Sequence, residues 1–71
     1  MSLTREQVKI LLQTATTVEE ADEVINKNFD FQSTQEKIAF LKGMFDIEII
    51  GYEGKIDEMT YFAMLKTVMS I

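Results

Sequence analysis

The 71-residue sequence contains no cysteine, no histidine, no tryptophan and no proline, and it has only three glycines. Without cysteine there are no disulfides, no thiol nucleophiles and no thiolate metal ligands. Without histidine, the common pairs of nucleophile and general base cannot be assembled, and zinc loses its usual ligands. We therefore expect neither enzymatic activity nor a bound metal or cofactor, and no small-molecule substrate is evident.

The lack of proline and the scarcity of glycine also bear on the fold class. Both residues disfavour helix interiors, and β-sandwiches and barrels carry many more turn residues than this chain does. Hydrophobic residues make up 46% of the chain and charged residues 27%, which is typical of an ordered globular domain. We predict a single helical domain over residues 1–71, because this length suffices for one domain only.

Charge and hydropathy exclude further classes of protein. The net charge is −5, and the sequence has no cluster of lysine or arginine. Such a surface repels the phosphate backbone, whose neutralisation supplies most nucleic-acid affinity. No apolar run approaches the roughly 18 residues of a spanning helix, and the N-terminus does not resemble a secretory signal. Because small secreted domains usually rely on disulfides, we expect a cytoplasmic protein. From its charge and hydropathy we expect that it binds neither membrane nor nucleic acid.

Capping patterns mark the starts of four helices. In three of them a serine or threonine is followed three residues later by glutamine or glutamate, and Asp57 is the expected cap of the fourth. The three pairs are Thr4 with Gln7, Thr17 with Glu20, and Ser33 with Glu36. Apolar residues recur at helical spacing after each cap, which predicts an all-α, four-helix bundle-like domain. The predicted helices cover about residues 5–14, 18–27, 34–49 and 58–69.

The segment between the third and fourth helices allows two interpretations. The i, i+4 row that ends with Phe45 and Ile49 favours a third helix as far as about residue 49, with Gly51 as its stop. Alternatively, the β-branched isoleucines of this segment favour a strand, and Gly51 and Gly54 could frame a hairpin. We favour the helix and keep irregular or hairpin-like structure at residues 47–56 as the alternative.

The residues from Glu53 onwards resemble the end of a calcium-binding EF-hand loop, with Gly54 as the sharp-turn glycine. In that register Ile49 and Gly51 occupy the first and third positions, and Thr60 occupies the twelfth. The loop needs oxygen ligands at these positions, the last of them a bidentate glutamate. Because two positions offer no side-chain oxygen and the third only a hydroxyl, the sequence predicts a turn between helices and not a calcium site.

The predicted third and fourth helices carry broader apolar faces than one small core requires. Domains of this size bury a small share of their surface and often depend on oligomerisation. We therefore expect a protein–protein interaction module, a regulator or inhibitor that binds another protein through these two helices and assembles as a homodimer. The candidate interface residues are Ile10, Phe40, Met44, Ile47, Tyr52, Met59, Met64 and Ile71.

The second predicted helix is strongly acidic, and its candidate patch consists of Glu19, Glu20, Asp22 and Glu23. Such a patch could bind a basic partner, although charge runs are more commonly solvated helix faces. The first two helices also have helix-turn-helix proportions, so a DNA-associated transcriptional regulator is the alternative function. Against it, the carboxylates at the start of the second helix would face the DNA phosphates.

Two aromatic residues between the second and third predicted helices allow two interpretations. Phe29 and Phe31 lie in a linker, and we predict that both rings plug the end of the bundle, the alternative being an exposed anchor for a partner.

Gly43 interrupts the third helix, where glycine costs about 1 kcal/mol relative to alanine. It is either a tolerated surface glycine or the site of a close helix approach.

No motif in the sequence identifies a family. The general profile of a small acidic helical domain resembles that of bacteriocin immunity proteins and of phage- or plasmid-encoded regulators. A shared profile does not transfer a function, so the function must be argued from the surface that the fold presents.

Overall fold

A computed structural model describes residues 3–71, and this part of the chain forms four α-helices and no strand. The helices are α1 (Arg5–Gln13), α2 (Val18–Asn28), α3 (Thr34–Phe45) and α4 (Glu58–Ser70). The predicted all-α class with four helices is confirmed, and three of the four helices end within one residue of the predicted position.

Each helix begins after the predicted N-cap, whose side chain accepts a hydrogen bond from the backbone N–H three residues on. The reciprocal half of the capping box forms only in α1, where the Thr4 N–H donates to Gln7 Oε1 over 2.8 Å. In α2 and α3 the glutamate instead accepts a hydrogen bond from the backbone N–H of the residue before the cap. These bonds join Thr16 to Glu20 over 2.9 Å and Gln32 to Glu36 over 2.7 Å.

The end of α3 differs from the prediction, because the helix stops at Phe45 and does not continue to residue 49. Asp46 adopts the left-handed conformation, with φ 52° and ψ 49°, and its N–H donates to the Lys42 carbonyl over 2.9 Å. A left-handed residue turns the chain away from the helix axis, and aspartate is one of the few non-glycine residues that tolerate it. The extension was therefore wrong, although Ile49 still packs against the core from outside the helix.

Residues 46–57, which we name the α3–α4 loop, are irregular and form no hairpin. The Tyr52 N–H donates to the Ile49 carbonyl and the Lys55 N–H to the Tyr52 carbonyl, both over 3.0 Å. Gly51 and Gly54 lie at φ 91° and 75°, where a side chain would be strained. The irregular alternative for this segment is thus confirmed.

The core forms around α4, which packs against α1, α2 and α3. Tyr61, Met64, Leu65 and Val68 are buried at the i, i+3, i+4 and i+7 positions of one face of α4. The other helices contribute seven buried apolar residues, which are Val8, Leu12, Ala21, Ile25, Ile38, Leu41 and Phe45.

Three aromatic rings form a cluster that packs against this core. The Phe29 ring centroid lies 5.4 Å from that of Phe31 and 4.7 Å from that of Phe40, and the Phe31 and Phe40 centroids are 5.0 Å apart. These separations fall in the range of favourable aromatic pairs. All three residues pack against the core, so the predicted inward packing of Phe29 and Phe31 is confirmed, and Phe40 completes the cluster.

Gly43 is exposed on α3, and a Cβ built on it would meet no atom within 4 Å. It is therefore a surface glycine and not a point of close approach. We expect Gly43→Ala to raise the free energy of unfolding by up to about 1 kcal/mol, because alanine is the better helix former. Urea denaturation measures this change.

Gly51→Ala is the matched control for this substitution. Its surroundings are equally open, but its φ of 91° disfavours a side chain. Gly51→Ala should lower the free energy of unfolding, and a loss of stability in Gly43→Ala as well would contradict the assignment of Gly43 as a free helix position.

Candidate functional site

Four of the eight predicted interface residues, on α3, on α4 and in the α3–α4 loop, lie within the fold. Met64 is only 3% exposed and belongs to the core, so the prediction of an exposed interface residue was wrong for this position, although Met64 also lines the groove described below. The physical reason is the direction of its side chain, which points towards the neighbouring helices as those of Tyr61 and Leu65 do. The half-buried residues Phe40, Met44 and Ile47 pack against the core from its edge. The apolar stripes of the two helices are thus largely covered by this chain itself.

The other four predicted interface residues reach the surface. Ile10, Met59 and Ile71 are exposed, to 58%, 67% and 48%, and Tyr52 is half-buried in the α3–α4 loop. The C-terminal residue Ile71 is separated from Met59 by about 18 Å along α4. The predicted residues therefore do not form one continuous surface.

Sequence reasoning missed two exposed isoleucines, both in the α3–α4 loop. Ile50 is 92% exposed and Ile56 is 54% exposed. One sequence signal could have revealed them: Ile50 directly precedes Gly51, and Ile56 lies two residues after Gly54. Because the chain turns at both glycines, the isoleucines of this segment cannot all point inwards.

A groove of about 200 Å³ lies between α3, the α3–α4 loop and the start of α4. Its apolar lining consists of Ile38, Ala39, Ile49, Tyr52, Ile56 and Met64, and its charged lining of Lys42, Glu48, Glu53 and Lys55. Pockets for cofactors and drug-sized ligands measure about 300–1,000 Å³. The groove is smaller than these pockets, and its size suits one or two side chains of a partner.

The loop that presents Ile50 is held by hydrogen bonds. The Glu53 carboxylate accepts the Gly51 N–H over 3.1 and 3.2 Å, and the backbone N–H groups of Glu53 and Gly51 lower the pKa of this carboxyl group. Lys42 on α3 forms an ion pair with Glu48 over 3.2 Å. Ile50 therefore projects from a defined turn, which reduces the entropy that a contact at this residue would lose.

The acidic patch is divided, because Asp22 is half-buried and faces α3 and α4. Its Oδ1 accepts hydrogen bonds from the Tyr61 hydroxyl over 2.6 Å and from Lys37 Nζ over 3.0 Å. Its Oδ2 accepts one from Asn26 Nδ2 over 3.3 Å. Asp22 is therefore not part of an exposed patch, and we name Asp22, Lys37 and Tyr61 the helix clamp, because they join α2, α3 and α4.

The remaining members of the acidic patch are exposed. Glu19, Glu20 and Glu23 lie on the outer side of α2. The Thr16 backbone N–H and hydroxyl, which both donate to Glu20, lower the pKa of its carboxyl group. Glu20 thus closes the turn before α2, and only Glu19 and Glu23 have the character of a solvated charged surface.

The electrostatics of the helix clamp keep Tyr61 protonated and Asp22 ionised. Burial raises the pKa of Asp22, but the hydrogen bonds from Tyr61 and Lys37 and the Lys37 charge lower it further than burial raises it. Burial and the neighbouring Asp22 carboxylate raise the pKa of Tyr61. A phenol donor beside a carboxylate acceptor is a stable structural pair near neutral pH.

The residues that resembled an EF-hand serve other purposes. Asp57 caps α4 and also accepts the hydroxyl of the buried Thr60 over 2.8 Å. Over residues 3–71, no group of three or more acidic side chains is placed to hold a metal ion. In the same range, no helix has both the length and the apolar character needed to cross a membrane.

Comparisons of this chain with protein-family models, with curated proteins and with solved structures find no match. The function is therefore argued from the geometry of the surface alone.

Tyr61→Phe removes the shortest hydrogen bond of the helix clamp. We expect a loss of about 1–2 kcal/mol in the free energy of unfolding near pH 7, because a hydrogen bond to a charged group contributes about 1.5–3 kcal/mol and partial exposure weakens it. The folded-state pKa of Asp22 lies below its ordinary value of 3.8. The stability it provides is therefore complete above that value and disappears as the pH falls through the lower, folded-state pKa.

The penalty of Tyr61→Phe should accordingly shrink in acid, which urea denaturation at neutral and at strongly acidic pH would detect. Tyr52→Phe is the matched control, because Tyr52 lies in the groove and away from Asp22. A penalty that is equal at both pH values would show that the Tyr61 hydroxyl does not act through the Asp22 carboxylate.

Met64 and Met59 lie on the same helix and give a matched pair of substitutions. Met64 is 3% exposed and Met59 is 67% exposed. We expect Met64→Ala to lower the free energy of unfolding by about 2–5 kcal/mol because it leaves a cavity. Met59→Ala should change it by no more than about 0.5 kcal/mol. Thermal melts of both variants decide the matter, and equal losses would contradict the burial of Met64.

Proposed function

We propose that this chain is a protein–protein interaction module, a regulator or inhibitor that acts by occupying a surface of its partner. Its binding surface is the groove together with Ile50, Ile56 and Met59, which we name the loop face. The observation that supports this proposal is the exposure of these three large apolar side chains in a chain whose core closes without them.

Isolated apolar side chains on a surface are normal, so exposure alone does not identify a binding site. Ile10 and Ile71 are exposed in this way, and neither lines the groove. At the loop face, by contrast, an exposed Ile50 and an exposed Ile56 occur in one loop that also forms the wall of an apolar groove. The combination of projecting apolar residues and a concave apolar surface is typical of protein interfaces.

The magnitudes favour a partner that fills the groove. Burying one isoleucine or methionine side chain contributes about 1.5–3 kcal/mol. Association loses about 4–15 kcal/mol of translational and rotational free energy. Three side chains alone barely offset this loss, and the groove and its charged rim must also be used. We therefore expect an affinity in the micromolar range, where the binding free energy is about −8 kcal/mol.

The internal polar groups support a binding role over a catalytic one. Among residues 3–71, every buried side-chain nitrogen or oxygen has a hydrogen-bond partner. The helix clamp, in which burial and Asp22 raise the pKa of Tyr61, is occupied by its own donors and acceptors. Exposed Glu19 and Glu23 near the start of α2 also make this helix unsuitable for contact with a DNA backbone.

Photo-crosslinking in cells that naturally produce the protein tests this function. A photoreactive amino acid replaces Ile50 in one variant and Glu23 in another, both at exposed positions. We expect the position 50 variant to form a discrete covalent adduct with a protein, which mass spectrometry identifies, because Ile50 would lie inside the interface. The position 23 variant is the control and should form none.

The proposal fails if position 50 yields no protein adduct, or if positions 50 and 23 yield the same adducts. The first result would mean that no protein covers the loop face, and the second that the adducts arise from random collision.

A further inference from the structure

We infer that Asp22, Asn26 and the ring of Tyr61 form a binding site for a primary alkylammonium ion, and that Lys37 of the same chain occupies this site and keeps it closed. The inference goes beyond the proposed function, since Asp22, Lys37 and Tyr61 do not line the groove of the loop face. It is carried by the depth at which the Lys37 ammonium group is seated, by the contacts made to it, and by the way the helices around it pack.

The ammonium group of Lys37 is seated in the fold. Three ion pairs form within residues 3–71, and in the pair between Lys37 and Asp22 the side chains are only 16% and 26% exposed. In the pair between Lys42 and Glu48 they are 53% and 64% exposed. Lysine side chains are rarely buried to this extent, because burial removes water from the ammonium group. The surroundings of Lys37 must therefore replace that water.

A carboxylate and an aromatic ring replace it. Lys37 Nζ lies 3.0 Å from Asp22 Oδ1 and 5.2 Å from the centroid of the Tyr61 ring. Both groups attract an ammonium ion, the first by its charge and the second by the negative face of its ring. The carboxylate is itself held by the Tyr61 hydroxyl over 2.6 Å and by Asn26 Nδ2 over 3.3 Å. The site is thus built by α2 and α4, and α3 supplies its occupant.

The packing of the helices leaves room for this site. α2 packs against α1 and α4, and α3 packs mainly against α4. At Lys37, therefore, a side chain bridges α2 and α3 in place of close contact between their backbones. A lysine stem is flexible, and its charged end is readily hydrated. Withdrawal of Lys37 would leave a space of its own shape beside the carboxylate and the ring.

A small primary amine matches this space. The Lys37 side chain beyond Cβ has the composition of n-propylammonium, so Lys37→Ala vacates the volume of that ion. The net charge of −5 attracts cations to the chain. While Lys37 is present, its tether gives it a high effective concentration at the site, and free amine does not compete with it. Lys37 is thus an autoinhibitory contact.

Thermal melts of Lys37→Ala in n-propylammonium chloride test the site. We expect about 50 mM of this salt to raise the melting temperature by about 5 °C above that in equimolar potassium chloride, as for a ligand with a dissociation constant of about 10 mM. The natural chain should show no such rise, because Lys37 holds the site. 1-Propanol, which has nearly the same shape as n-propylammonium but no charge, should not stabilise Lys37→Ala.

Lys37→Met is the matched control, because methionine has about the length of lysine and fills the space without a charge. It should gain nothing from n-propylammonium. Lys42→Ala, which removes an exposed lysine from the same helix, should gain nothing either. NMR spectra give a second measurement that does not depend on stability. In Lys37→Ala, n-propylammonium should shift the signals of the Asn26 side-chain amide and of the Tyr61 ring.

Two results would overturn the inference. One is a Lys37→Ala variant that melts at the same temperature in both salts and shows no shifts at Asn26 and Tyr61, since nothing would then bind in the vacated space. The other is an equal rise in melting temperature for the natural chain, for Lys37→Met, or for Lys37→Ala combined with Asp22→Asn, because the amine would then bind elsewhere.

Discussion

The burial of α4 against the three other helices is the constraint on which the rest of this structure depends. Tyr61, Met64, Leu65 and Val68 occupy one face of this helix and meet residues from all three neighbours. Because α4 packs against all three other helices, its side chains are either buried in the core on one face or exposed on the other. Met59, in the first turn and outside this face, is left exposed at the end where the α3–α4 loop arrives.

The same helix organises the polar side of the fold. The ring of Tyr61 is buried, and its hydroxyl donates a hydrogen bond to the Asp22 carboxylate. The same carboxylate accepts a hydrogen bond from Lys37. At the opposite end of α4, Gln13 of α1 donates to the carbonyl of Ile71 over 2.6 Å and satisfies one of the last backbone acceptors. These contacts use polar side chains to fix the neighbours of α4, which explains why an acidic residue of α2 is withdrawn from the surface.

The loop face is a consequence of where α3 stops. With Asp46 in the left-handed conformation, residues 46–57 must connect two packed helices without being part of either. Ile49 packs against the core, whereas Ile50 and Ile56 have no place inside a domain that α4 has already filled. The apolar side chains of this loop therefore stay in contact with water beside the groove, which does not stabilise the folded chain. A partner that covers them would remove this apolar surface from water, and this is the physical basis of the proposed interaction.

The sequence by itself determined the all-α class and the start of every helix, because capping is a local interaction between a side chain and the backbone a few residues away. Thr4, Thr17, Ser33 and Asp57 all cap the helices expected of them. Periodicity could not tell buried Met64 from exposed Met59, nor could composition show that Asp22 turns inward while Glu19 and Glu23 do not. Only the tertiary structure decided these placements and the position of the groove, since each depends on residues distant in the chain that α4 brings together.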